Sequence, residues 1–113
     1  MASSEAAREE YDAVSAAVRG LGAESGMMMG MPCLKIGGKL FAGYDKAGAM
    51  TFKLDGEAHA TALALKGAHI FDPSGQRPMK QWVSVPYAHA KRWPELARTA
   101  LDHVSATTAR GKR

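Results

Sequence analysis

Lysines interleaved with aromatic rings on extended segments are the residues here best suited to chemistry, and that chemistry is recognition of a polyanion. Lys35, Lys53 and Tyr44 alternate onto one side of a predicted sheet, and Lys80 and Trp82 join them if their strand enters the same sheet. Ammonium groups neutralise phosphates and exposed rings stack on unpaired bases at about 1–3 kcal/mol each, so the mixture suits nucleic acid. Lys91 and Arg92, with Arg77 in the preceding loop, form a second basic cluster able to touch a phosphate backbone. The competing reading packs Trp82 under a helix and leaves the lysines as solvated surface.

Catalytic and metal-binding sets are not spelled out by spacing. Cys33, His59, His69, His89 and His103 are scattered, without a Cys-x-x-Cys or His-x-x-x-His pair. Asp45, Asp55 and Asp72 stand where turns and helix caps favour aspartate. Gly37-Gly38 leads into a strand, where a phosphate loop would lead into a helix. Met28 and Met31 could offer thioethers to soft copper, but two are few, and the methionines of residues 26–33 read as fill where a loop enters the core. The expectation is a chain without catalytic residues, cofactor or metal.

The elements that must position the lysines follow from periodicity. Tyr11, Val14, Val18 and Leu21, with Ala7 and Ala17 beside them, predict a helix over 5–21, capped by Ser3 or Ser4 and stopped by Gly20 and Gly22. Residues 34–54 predict a three-stranded meander. Its first turn is Gly37-Gly38, and its second spans Asp45 to Gly48. A four-residue second turn sets Phe41 opposite Phe52 and Gly43 opposite Met50. Leu34, Ile36, Phe41, Met50, Phe52 and Leu54 then share the core face, and Lys35, Leu40, Ala42, Tyr44, Thr51 and Lys53 the outer one.

Asp55 caps a predicted helix over 56–66, closed by Gly67. Residues 68–71 suggest a short strand, 72–78 a loop, and 79–85 an alternating strand ended by Pro86. Trp93-Pro94 opens the last helix, whose buried stripe is Leu96, Ala97, Ala100, Leu101 and Val104. The expected fold class is α+β: a single compact domain over 5–105. In it an antiparallel sheet, the meander plus one or two further strands, packs against N-terminal, middle and C-terminal helices. Residues 106–113 are expected to form a flexible basic tail.

Composition agrees with that scale. At 113 residues with 46% hydrophobic content, the chain fits one packed domain. Its longest apolar runs are far below the roughly 20 residues needed to span a bilayer, and acids near the N-terminus argue against a signal peptide. With a single cysteine, Cys33, no intramolecular disulfide can form, so a cytoplasmic location is expected. The net charge of +4 is uneven: residues 1–30 carry −3 and residues 31–92 carry +5. A polyanion would meet the middle of the chain.

The order and spacing of short motifs carry a family resemblance. They are Met31-Pro32 through Gly38-Lys39-Leu40-Phe41-Ala42, then Thr51-Phe52-Lys53-Leu54, then Pro78-Met79-Lys80-Gln81-Trp82-Val83-Ser84-Val85-Pro86 and the helix after it. On these, residues 5–105 resemble the N-terminal domain of the TfoX competence-regulator family and the related MmcQ/YjbR group. The resemblance implies a compact α+β domain, DNA-binding or linked to transcriptional regulation, with no catalytic residues. The functional expectation is a non-enzymatic accessory domain whose partner is nucleic acid. The alternative is a protein-interaction or homodimerisation module using a sheet edge or surface.

Overall fold

The computed structural model describes residues 2–28, 30–45, 48–72 and 79–111; the side chains of 2–4, 28 and 107–111 are outside that description. Arg77 and the rest of 73–78, with residues 46 and 47 of the second meander turn, lie outside the described residues.

The first helix, α1, spans Ala2–Arg19, so it starts before the serines expected to cap it. Ala7, Tyr11, Val14 and Val18 form its buried stripe, as the spacing predicts. Leu21 lies past the helix end and is 47% exposed, while Ala17 faces solvent. The Val18 carbonyl accepts from the N–H groups of both Leu21 and Ala23, closing the helix and turning the chain into a strand.

Two strands, β1 (Glu24–Met28) and β2 (Met31–Ile36), follow as an antiparallel hairpin. The methionine-rich segment is therefore not a loop entering the core; Met27 is 66% exposed. Pro32 has no N–H to donate, and the ladder from β2 to the next strand begins only at Cys33. Gly37 and Gly38, at φ 60° and 81°, make the two-residue turn that only a mirror-type backbone closes, and Ile36 pairs with Lys39 as expected.

The next pair, β3 (Lys39–Asp45) and β4 (Ala49–Lys53), departs from the expected register by one residue. Asp45 pairs with Ala49, so the connection is residues 46–48, and Gly48 at φ 89° fits a three-residue loop. Phe52 thus faces Ala42, not Phe41, and Tyr44 faces Met50. On the other side of β3, Lys35 pairs with Leu40 but Leu34 with Ala42, leaving Phe41 as the extra residue of a bulge. Phe41 and Ala42 are both fully buried.

After β4, Asp55 caps α2 (Gly56–Leu63), its carboxylate accepting from the Gly56 N–H at 2.8 Å. The short strand β5 (His69–Phe71) and β6 (Met79–Val85) complete one six-stranded antiparallel sheet in the order β1-β2-β3-β4-β6-β5. A 3-10 helix, Tyr87–Arg92, leads into α3 (Trp93–Gly111), whose five predicted stripe residues are all buried.

The helices lie on one face. A single cluster joins Val14 and Val18 of α1, Ala62 of α2 and Trp93, Ala97 and Leu101 of α3 to Leu34, Ala42, Tyr44, Met50, Phe52, Val83 and Val85 of the sheet. The buried residues Cys33, Thr51, Phe71, Trp82 and Ser84 stand outside that cluster. Strand pairing explains why. Gly26, Cys33, Gly43, Thr51, Ser84 and His69 form one row across the other face of the sheet. The fold is thus α+β, with three helices on the inner face of an antiparallel sheet and lysines distributed over the outer one.

Candidate functional site

Lys53 lies directly opposite Trp82 across β4 and β6, which puts β6 in the same sheet as the meander. Lys80 is two residues before Trp82 on that strand and shares its side, and it is exposed. Lys35 is on the same outer face, paired with Glu24 and half-buried. Its stem lies across Gly26: a Cβ built there would meet Lys35 Cε at 3.1 Å and Nζ at 3.5 Å. Three lysines and one glutamate therefore edge the outer face.

The aromatic rings do not accompany them as exposed surface. Trp82 points outward, as alternation predicts, but only 8% of it is exposed. Gly43 has no side chain and Cys33, Thr51 and Ser84 are small, so the sheet is hollow at its centre, where Trp82 and Phe71 also line the space. The void left between them is about 10 Å³, room for no more than one water. Trp82 is part of a small second core.

Tyr44 is on the inner face, a correction that follows from the bulge at Phe41 and the shorter turn after Asp45. It is 9% exposed and tilted against Tyr11 of α1, with ring centroids 5.3 Å apart. The Arg8 guanidinium sits 5.9 Å from the Tyr11 centroid and 5.8 Å from that of Tyr44, while its Nε donates to Asp12 at 3.1 Å. The expected stacking platform of Tyr44 and Trp82 is not present on the surface.

Lys91 and Arg92 are exposed on the 3-10 helix, which packs against α1 and α3. Lys91 shares a groove with Glu10 of α1. The second basic cluster therefore belongs to the helical side of the molecule, apart from the outer sheet face. Of the seven residues singled out by sequence, the fold brings Lys35, Lys53, Lys80 and Trp82 onto the outer face, with Trp82 buried there, and places Tyr44, Lys91 and Arg92 on the helical side.

Chemically reactive side chains are held in structural roles. His59 Nε2–H donates to the Lys80 carbonyl at 2.8 Å and ties α2 to β6. His89 Nε2–H donates to the Lys66 carbonyl at 2.9 Å, and His69 Nδ1–H to the Gly67 carbonyl at 3.3 Å. Cys33 is 2% exposed, and burial pushes its thiol pKa up, against the pull of the Lys35 charge. Among the described residues, no group of three histidine, cysteine or carboxylate side chains converges to hold a metal ion.

Sequence reasoning missed one hollow, about 290 Å³, between Asp45, Gly48, Ala49, Gly67, His69, Ser84, Pro86 and Tyr87. It exists because β5 pairs on the far side of β6, an order that local patterning does not encode.

No protein-family model, curated protein or solved structure matches this chain. The functional reading accordingly rests on surface chemistry. No helix among the described residues is long and apolar enough to cross a membrane.

Proposed function

We propose that this protein is a non-enzymatic accessory domain of the TfoX N-terminal or YjbR-like kind, whose outer sheet face docks on the phosphate backbone of a nucleic acid. The carrying observation is the placement of Lys35, Lys53 and Lys80 on the sheet face that the helices leave uncovered. With Trp82 and Tyr44 buried, contact is made by charge alone, so binding is insensitive to base sequence and does not require unpaired bases. The structural hydrogen bonds of His59, His69 and His89, and the buried thiol of Cys33, support a role in recognition over one in catalysis.

The test is fluorescence anisotropy of a labelled duplex and a labelled single strand titrated with the protein at low and rising ionic strength. Binding that weakens steeply with salt, to both strands alike, is the expected result. No binding at low ionic strength, or binding indifferent to salt, overturns the proposal.

A further inference from the structure

The two edges of the sheet are finished differently. At one end β5 has three residues and an irregular register before Phe71, a short and poorly templating edge. At the other, β1 runs five residues in unbroken register with β2. Its sequence, Glu24-Ser25-Gly26-Met27-Met28, contains no proline, no lysine and no bulge, the devices that ordinarily blunt a free edge. The two large hydrophobic side chains most exposed among the described residues, Met27 and Leu21, lie on this strand and just before it.

Hairpin geometry says which backbone groups are free. A two-residue connection makes Met28 and Met31 the hydrogen-bonded closing pair, so Glu24, Gly26 and Met28 direct their N–H and C=O toward β2. Ser25 and Met27 direct theirs outward. Pro32, which faces Met27 and has no N–H, agrees with that assignment.

We infer that β1 pairs antiparallel with β1 of a second copy of this chain, about a two-fold axis passing through Gly26. In that register Ser25 of each copy exchanges backbone hydrogen bonds with Met27 of the other, which uses every outward group of the strand. On the helix side the two Met27 side chains become diagonal neighbours across the axis and cover each other. On the outer side Gly26 meets Gly26, which keeps the join smooth. The Lys35 ammonium, lying over Gly26, is then diagonal to Glu24 of the other copy. Opposite charges meet twice and like charges are not directly opposed. A second copy therefore fits this edge better than an arbitrary strand. The join also extends the outer face of one sheet into that of the next.

The experiment uses the full chain without nucleic acid, so its result does not depend on the proposed function. Sedimentation equilibrium over a concentration series should show a species of twice the 12.0 kDa chain. Met27→Lys, at a position already exposed, should weaken association at least tenfold without changing the circular dichroism of the fold. Ser25→Lys should do the same. Amide hydrogen exchange at Ser25 and Met27 should slow as concentration rises. A monomer at every concentration, a dimer indifferent to both substitutions, or a dimer whose Ser25 and Met27 amides exchange freely overturns the inference. Association only with a different protein, again through β1, overturns the choice of a second copy.

Discussion

Lys53 and Trp82 face each other across adjacent strands, yet the lysine reaches solvent while the indole is enclosed by its own sheet. The pair joins the candidate surface to the small core beneath it. It also separates two ways of binding nucleic acid, by charge and by stacking, that a list of residue types cannot tell apart.

Charge reversal tests the first. Three phosphate contacts give a slope of log affinity against log salt of roughly −2.7 on duplex DNA, a loss of roughly 40-fold between about 50 and about 200 mM salt. Lys53→Glu and Lys80→Glu should each flatten that slope by about one and weaken binding at low salt across all sequences. Lys91→Glu and Arg92→Glu, on the helical side, should leave the slope unchanged. Anisotropy titrations of the four variants decide this.

Intrinsic fluorescence tests the second. Both tryptophans of the chain, Trp82 and Trp93, are buried. Emission should be blue-shifted, resist acrylamide, and stay unchanged when a single strand is added. A ligand-induced quench would show Trp82 opening to stack. Trp82→Ala should cost about 3–5 kcal/mol in chemical denaturation, the range for emptying an aromatic site in a core.

The hydroxyl of Tyr11 is buried without a hydrogen-bond partner among the described residues. Burial above all, reinforced by negative charge on Cys33 and Asp12 and opposed by Arg8, raises its pKa well above the ordinary tyrosine value. The unfolded chain loses that proton near pH 10, the ordinary tyrosine pKa, while the folded chain keeps it. Stability is therefore intact below that pH and falls as pH climbs past it, by up to about 1.4 kcal/mol per unit. Tyr11→Phe should flatten this alkaline limb and be neutral or stabilising at pH 7, read from denaturation midpoints across pH.

Cys33 follows the same sign. Its folded pKa is raised by burial, so stability held at neutral pH begins to fall once the unfolded thiol ionises, at about 8.5. Cys33→Ala should remove this earlier onset and leave the later one. In the native chain, thiol reagents should modify Cys33 only as fast as the sheet opens, and at once in denaturant.

Much of the fold was legible because local signals were unambiguous. The stripes of α1 and α3, the Asp55 cap, the Gly37-Gly38 turn and the outward side of Lys35, Lys53 and Thr51 all follow from spacing that admits one solution. The register of β3 did not, because Phe41 and Ala42 are adjacent and both apolar, so alternation cannot say which one faces the core. In the structure both are buried there. Residues 46–48 added a second ambiguity, since Asp45 can end a strand or begin a turn. The hairpin of β1 and β2 was hidden by Gly26, Gly30 and Pro32, residues that ordinarily interrupt strands. Alternation along β6 puts Trp82 on the side of Lys80. The burial of Trp82 depends on Phe71 and on the small residues at the centre of three other strands, contacts that no single segment reveals.

The bulge at Phe41 has a further consequence, for tolerance to length change. Beyond it, β3 runs one step out of phase with the strand before it, and that offset is what carries Tyr44 beneath α1. Deleting Phe41 would remove the extra residue and leave Leu40 opposite Lys35, Ala42 opposite Leu34 and Gly43 opposite Cys33, so Tyr44 would keep its place beneath α1. Deleting Gly43, past the bulge, would instead shift Tyr44 by one position and turn its ring outward, to the side of Lys35 and Lys53. A lost codon is thus absorbed at one position of this strand, and two positions later it exchanges a filled interior for an exposed ring.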